Sequence, residues 1–387
     1  MEKESKDRRS THTNDSSQNQ AQSGILVSIS KHAGTLVDNS LICVIVPTTL
    51  HMLKSQIVGI GHYVPEQVVT NADLEKVMDT SNDWIVERTG IHERRFFNPE
   101  TDTVANMSAR AAKMALDRAN VSAEDIDFIV FATITPDYFF PGSGVLLQRE
   151  LGLDKKSIPA LDIRNACSGF IYGLSVADQF IKTGMYKTVL VVGAEIQSSA
   201  MEMNTRGRNV SVIFGDGAGA AILRPTEEAN KGLLSTHLHA DGTFAEELYI
   251  RDPGSSRPNK ERLTPDLLES AGIRAHMNGN LVFKHAVVRF KEVIQEALDH
   301  NQLTSDDINL LIPHQANLRI SKFLQQQLGF EDHRVYNNIM RYGNTTAASI
   351  PIAMSEAWAE GKIPEGTLLC LAAFGSGFTW ASALIRF

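Results

Sequence analysis

Residues 115–130 read ALDRANVSAEDIDFIV, and residues 297–312 read ALDHNQLTSDDINLLI. The two stretches align without a gap at an offset of 182 residues. Each is the end of an amphipathic helix, then a polar loop, then an apolar run that reads as a buried strand. Ser122 and Thr304, each followed by acidic residues, are ordinary loop chemistry ahead of a strand. A second pair follows in the same order: FGDGAGAAIL at 214–223 and FGSGFTWASALI at 374–385 share F-G-x-G and then an apolar run. Two matches in one order predict two related α/β halves, 52–225 and 226–387.

Working outward, strand-like runs fall at 56–61, 128–133, 160–164, 188–193, 218–223, 310–313, 368–373 and 379–387. Helical spacing falls at 103–119, 168–183, 280–298, 318–328 and 346–360. Short apolar strands alternating with longer helices predict a mostly parallel sheet in each half, with helices on both faces. Two such halves make a layered sandwich with helices between the sheets. Residues 251–272, rich in Pro, Gly and charge, read as an exposed insertion.

Residues 1–23 have the polar composition of disorder, and the apolar run from Ile42 to Leu53 is broken by Pro47. The leader is too long and carries too many acidic residues for a targeting signal. Folded structure is expected to start near Met52. Residues 1–51 then read as a disordered extension or as the product of a wrongly assigned start codon. No run of about 18 apolar residues predicts a membrane helix. A net charge of −8 gives no basic footprint for nucleic acid. The three cysteines, Cys43, Cys167 and Cys370, fit neither a disulfide framework nor a zinc site and suit a reducing, cytoplasmic setting. FGDGAG misses the dinucleotide fingerprint, and no cluster of metal ligands is seen.

Four segments carry candidate chemistry. Cys167 lies in IRNACSGF, at a strand-to-helix turn, where a helix dipole would lower the thiol pKa. The same position equally suits a buried, inert cysteine. His314, in IPHQANLRI, ends the second repeat's strand, where ligand sites of α/β sheets collect; a hydrogen-bonded structural histidine fits as well. Asn344 lies in a Gly-Asn turn before a helix, a common turn residue. FGSGF at 374–378 is a tight hairpin or a source of backbone N–H groups for an oxyanion.

Taken together, these segments resemble the β-ketoacyl-ACP synthase III family of the thiolase superfamily. The resemblance runs from about Met52 to Phe387 and is carried by NADLEKVMDTSNDWIVERTGI, FGDGAGAA, STHLHADG, PHQANLRI, GNTTAAS and FGSGFTWASALIRF. It implies a five-layered αβαβα sandwich of two duplicated halves. It implies a decarboxylative condensation of an acyl-CoA primer with malonyl-ACP, with the CoA and ACP thioesters as substrates and no cofactor.

The family's catalytic triad falls on Cys167, His314 and Asn344, and its oxyanion donors on the backbone N–H groups of Cys167 and Ser376. By the same matching, Trp84 and Arg208 flank the CoA adenine and Arg88 neighbours the CoA phosphates. Gly279, Asn280 and Phe283 line the pantetheine tunnel, while Phe374 borders the acyl pocket. Phe140 reaches across a homodimer to the partner's acyl pocket, and Arg319, Lys284 and Lys322 meet the carrier protein. Three departures stand out. Gln326 and Gln327 replace lysines of some relatives, Ser376 stands where many have glycine, and ITPDYFFPG is bulkier than the loop of acetyl-specific members. They leave open the primer and a role in a secondary-metabolite pathway, as a ketosynthase or as a plain acyltransferase.

Overall fold

Each copy of the repeated stretch delivers a strand into a sheet of its own. A computed structural model describes residues 53–256, 261 and 263–387, all within one compact unit, His51–Phe387. The first half contributes β1 (Lys54–Tyr63), β2 (Gln67–Thr70), α1 (Asn71–Glu75), α2 (Asn82–Thr89), β3 (Glu93–Phe96) and α3 (Val104–Ala119). It continues with β4 (Phe128–Ala132), α4 (Ser143–Glu150), β5 (Ala160–Ile163), α5 (Gly169–Lys182), β6 (Val189–Glu195), α6 (Arg208–Ser211) and β7 (Gly217–Thr226). The second half holds β8 (Gly232–Ala240), β9 (Leu248–Tyr249), β10 (His276–Met277), α7 (Gly279–His300) and β11 (Leu310–Pro313). It ends with α8 (Leu318–Leu328), α9 (Ile339–Tyr342), α10 (Ser349–Ala359), β12 (Leu368–Gly375) and β13 (Thr379–Arg386).

The first sheet runs β1-β7-β6-β4-β5, and the second β8-β13-β12-β11. The correspondence reaches further than the strands. Val335 makes a parallel bridge to Leu311, the place that β5 takes beside β4 in the first half. The second sheet is thus the first one repeated, with its outer strand reduced to a single bridge.

The expectation of mostly parallel sheets is corrected. The β4–β5, β4–β6 and β11–β12 pairs are parallel, but β1–β7, β6–β7, β12–β13 and β8–β13 are antiparallel. The three-residue link from β12 to β13 leaves no length for a crossover, so that pair must be a hairpin. Hydrophobic runs register burial on both faces but not strand direction. All seven residues of β6 are buried.

Helices form five layers with the sheets. α5 and α10 lie between the sheets, α5 touching strands of both. Their apolar faces, with those of the two sheets, make the central core, including Phe170, Ile171, Leu174, Ile350 and Met354. α3 covers the outside of the first sheet, and α7 with α8 the outside of the second. α3 begins at a capping box, in which Thr103 Oγ1 accepts from the Asn106 N–H while Asn106 Oδ1 accepts from the Thr103 N–H.

The turn ahead of α5 is repeated ahead of α10. Ala166–Ser168 and Thr346–Ala348 are both short 3-10 turns, 180 residues apart. Ala166 and Thr346 both take left-handed φ values, 45° and 50°, a strained choice for residues with a Cβ. Ala347 therefore holds in the second half the place that Cys167 holds in the first. The insertion read at 251–272 connects β9 to β10, with residues 257–260 and 262 outside the described set. The extension at 1–51 also lies outside the described residues. Among the described residues, no helix is long and apolar enough to cross a membrane.

Candidate active site

Cys167 sits in the hydrogen-bonded turn between β5 and α5. Ser168 Oγ donates to the Asn165 carbonyl at 2.9 Å and lies 2.8 Å from Thr379 Oγ1, itself 3.0 Å from the Ser376 carbonyl. The Cys167 turn and the β12–β13 turn are thereby tied side by side. Their approach is so close that a Cβ on Gly375 would sit 2.6 Å from Cys167 Cβ and 2.9 Å from its Sγ. Glycine is the residue that fits there. The backbone N–H groups of Cys167 and Ser376 both face the sulfur and favour its anion. The Ser376 hydroxyl donates to the Leu248 carbonyl in β9.

The expected lowering of the Cys167 pKa is corrected. Burial pushes the thiol up to about 12, and the nearby Glu195 carboxylate pushes the same way. The two N–H groups oppose this but do not outweigh the loss of solvent. The sequence signal was the helix N-terminus; the burial and Glu195 come from the opposite half and from β6. Glu195 is itself fully buried, and burial raises it to about 7. Thr133 Oγ1, Thr135 Oγ1 and the N–H groups of Ile134, Thr135 and Ala347 all donate to it.

His314 closes β11, its N–H bonded to the Ala372 carbonyl at 2.8 Å. Its ring is 3% exposed, and burial lowers it to about 3, so the imidazole is neutral. Nδ1 lies 2.6 Å from Ser349 Oγ, whereas Nε2 has no protein partner. Gln315 braces the next segment, its Oε1 accepting from the Asn338 and Ile339 N–H groups.

Asn344 is set in place by the first half. It bridges Phe214 in parallel, its N–H bonds the Ile213 carbonyl at 2.8 Å, and its carbonyl accepts from Gly215 N–H at 3.1 Å. The FGDG motif is thus the seat of Asn344. Asn344 Oδ1 accepts from the Thr346 N–H at 2.8 Å, so the amide is oriented and Nδ2 remains available as a donor.

These three side chains line one cleft of about 450 Å³. Of the other candidates, Trp84, Arg88, Gly279, Asn280, Phe283, Arg319 and Phe374 line it too. Trp84 stands on α2, capped by Ser81, whose Oγ accepts from the Trp84 N–H at 3.1 Å. Two guanidinium groups lie over its ring, Arg88 at 4.6 Å and Arg208 at 5.5 Å. Arg208 also pairs with Asp79 at 3.3 Å. Gly279, Asn280 and Phe283 come from the first two turns of α7, with Arg319 5.6 Å above the Phe283 ring.

Arg208, Ser376, Phe140, Lys284 and Lys322 are not among the cleft's lining residues. Lys284 and Lys322 are exposed on α7 and α8. Phe140 is 81% exposed, beside Tyr138 and Phe139. Sequence reasoning missed Leu248, Met277 and Phe290, which also line the cleft. Leu248 and Met277 are direct cross-strand partners in the β9–β10 pair, too short a pair to show a periodic pattern. It missed Glu195 and Ser349 as well, since neither lies in an unusual local pattern. Among the described residues, no group of three or more His, Cys, Asp or Glu side chains is placed to hold a metal ion.

The paired sheets, the central helices and the mirrored turns define a thiolase fold. Residues 161–242 match the family model for 3-oxoacyl-[acyl-carrier-protein] synthase III, and residues 298–387 match the model of its C-terminal part. The β-ketoacyl-[acyl-carrier-protein] synthase III of Aliivibrio fischeri is 45% identical over 335 residues, which cover 87% of this chain and 100% of that relative. The crystal structure of 3-oxoacyl-[acyl-carrier-protein] synthase III from Aquifex aeolicus superposes with a TM-score of 0.78 at 42% identity, covering 86% of this chain and 100% of that one. The priming β-ketosynthase of the R1128 polyketide pathway superposes with a TM-score of 0.77 at 31% identity, covering 86% and 96%. The chain belongs to the β-ketoacyl-[acyl-carrier-protein] synthase III family and is an acyltransferase of that type.

Proposed function

We propose that the protein transfers an acyl group from acyl-CoA to Cys167 and condenses it with malonyl-ACP, losing carbon dioxide. The observation that carries this reading is the meeting of Cys167, His314 and Asn344 in one cleft, with two N–H groups facing the sulfur. In the first step the Cys167 sulfur attacks the thioester carbonyl, the C–S bond to CoA breaks, and the thiol proton ends on the CoA sulfur. The Cys167 and Ser376 N–H groups hold the tetrahedral oxyanion; one such donor is typically worth ~3 kcal/mol of barrier. In the second step the malonyl C–C bond breaks, carbon dioxide leaves, and the electron pair becomes a thioester enolate. His314 Nε2–H and the Asn344 amide donate to the enolate oxygen. The enolate carbon attacks the acyl-Cys carbonyl, the C–S bond breaks, and Cys167 is released as thiolate while β-ketoacyl-ACP departs.

The CoA moiety is read as lying along Trp84, Arg88 and Arg208, and the pantetheine arm along Gly279, Asn280 and Phe283. Arg319, Lys284 and Lys322 form the cationic face for an acidic carrier protein. Phe374 borders the acyl pocket, and the exposed Phe140 is read as closing the pocket of a second copy in a cytoplasmic homodimer. The reaction as written uses no cofactor. The division into halves 52–225 and 226–387, after an extension at 1–51, belongs to the same reading. A role in priming a polyketide is kept as the second reading, favoured by the likeness to the R1128 ketosynthase.

The test is stepwise. Purified protein is offered a panel of acyl-CoAs, and intact mass with peptide mapping reads acylation at Cys167. Malonyl-ACP is then added, and carbon dioxide and ketoacyl product are measured. Acylation without decarboxylation moves the assignment to a plain acyltransferase, and no acylation by any primer removes both. Asn344→Asp is expected to lose condensation while keeping most of the acylation step; equal loss of both shows that the role given to Asn344 is wrong.

A further inference from the structure

We infer that Ser349 is a positioning residue that fixes which ring nitrogen of His314 carries the proton, so that Nε2–H points its donor into the cleft. The inference rests on the condensing reading above and deepens it. Ser349 opens α10 and is 2% exposed, so its hydroxyl proton needs an acceptor inside the protein. Its oxygen already accepts the Gln315 N–H, at 3.4 Å. Among the described residues, the acceptor within reach of the hydroxyl proton is His314 Nδ1, at 2.6 Å. A serine inside a helix can return its proton to the carbonyl four residues earlier, but among the described residues the Ser349 hydroxyl is bonded to His314 Nδ1 and the Gln315 N–H instead. The proton therefore goes to Nδ1, which must be bare. A neutral imidazole with a bare Nδ1 carries its hydrogen on Nε2. Nε2 is the atom that is buried without a protein partner in the wall of the cleft.

The same turn explains why the device exists in one half only. Ser349 corresponds in the repeat to Gly169, the first residue of α5. Where the first half has a glycine beside the nucleophile, the second has a hydroxyl beside the histidine.

The experiment has two arms. Nitrogen-15 histidine labelling of the wild-type protein reads the tautomer directly, with the His314 signal assigned by its loss in His314→Asn. The expected ring has a bare Nδ1 and a protonated Nε2; a ring protonated at Nδ1 overturns the inference whatever the enzyme's activity. In the kinetic arm, Ser349→Ala is expected to lower condensation about tenfold, the scale of one net hydrogen bond. Acylation of Cys167 should stay within about twofold of wild type, since Nε2 has no part in that step. Ser349→Thr, which keeps the hydroxyl, should recover most of the loss.

In a His314→Asn background, removing the Ser349 hydroxyl should cost nothing further, because no imidazole remains to be oriented. Unchanged condensation in Ser349→Ala, or an equal loss in the His314→Asn background, overturns the inference. A wild-type enzyme that acylates but does not condense sinks the condensing reading instead, and the nitrogen-15 measurement still decides the tautomer.

Discussion

Cys167 meets two backbone N–H groups and, at longer range, the Glu195 carboxylate, in a largely buried part of the cleft. With the thiol pushed up to about 12, the free enzyme near neutral pH holds a thiol and not a thiolate. The sign of the pH dependence follows. Deprotonation supplies the nucleophile, so below about 12 the thiolate fraction rises tenfold for each pH unit. A free cysteine near ~8.5 would level off far earlier. Alkylation of Cys167 by iodoacetamide in the unliganded enzyme should therefore keep climbing between pH 7 and pH 10. A plateau near pH 8 would show that the thiol is not raised. On the proposed mechanism, turnover depends on what acyl-CoA brings into the cleft: a carbonyl oxygen for the two N–H groups and a leaving sulfur that accepts the proton.

At the scale of elements, the site is made by turns that interlock. β12 passes the Cys167 turn at a distance only glycine tolerates. Gly375→Ala should displace the sulfur by a fraction of an ångström or more, and a misplacement of about 1 Å can cost about a hundredfold. Acylation by the best primer, followed by intact mass, should fall by about that factor while the circular dichroism spectrum is kept. Normal acylation would mean that the turn yields freely.

This scale is also where the sequence was most and least legible. The ALDRANVS and ALDHNQLT repeats announced the duplication, because a helix end, a loop and a buried strand leave a pattern that survives substitution. The strand β8 was not legible. Its Ser235, His237 and His239 look solvent-facing, yet the two histidines lie 3.3 and 2.6 Å from Glu296 on α7, and Ser235 Oγ accepts from Asn301 Nδ2 at 2.7 Å. Polar residues that meet a helix by hydrogen bonds erase the apolar alternation by which a covered strand is recognised. Cys167, His314 and Asn344 were legible as candidates because each ends a strand or opens a helix. Ser349 and Glu195 were not, because the histidine beside Ser349 lies 35 residues away along the chain and the donors to Glu195 lie 60 to 152 residues away.

At the scale of the whole molecule, Glu195 fastens the two halves together. It gathers donors from Thr133, Ile134 and Thr135 of the first half and from Ala347 of the second. Its loss strands several buried donors, each costing about 1–3 kcal/mol. Glu195→Ala should lower the unfolding free energy by about 3 kcal/mol, read from urea titration at pH 6, and by less at pH 8, where the fold must also hold the buried carboxylate ionised. A change below about 1 kcal/mol would mean that water or rearranged side chains replace it.

The mirrored turns also bear on how the chain can be divided. The Cys167 turn grips β12 of the second half, and the Ala347 turn grips β6 of the first through Glu195. Each half carries the other's missing wall, so neither fragment cut between β7 and β8 holds a finished cleft. Two fragments supplied as separate chains would regain it only on meeting, and acylation of Cys167 would then report their association.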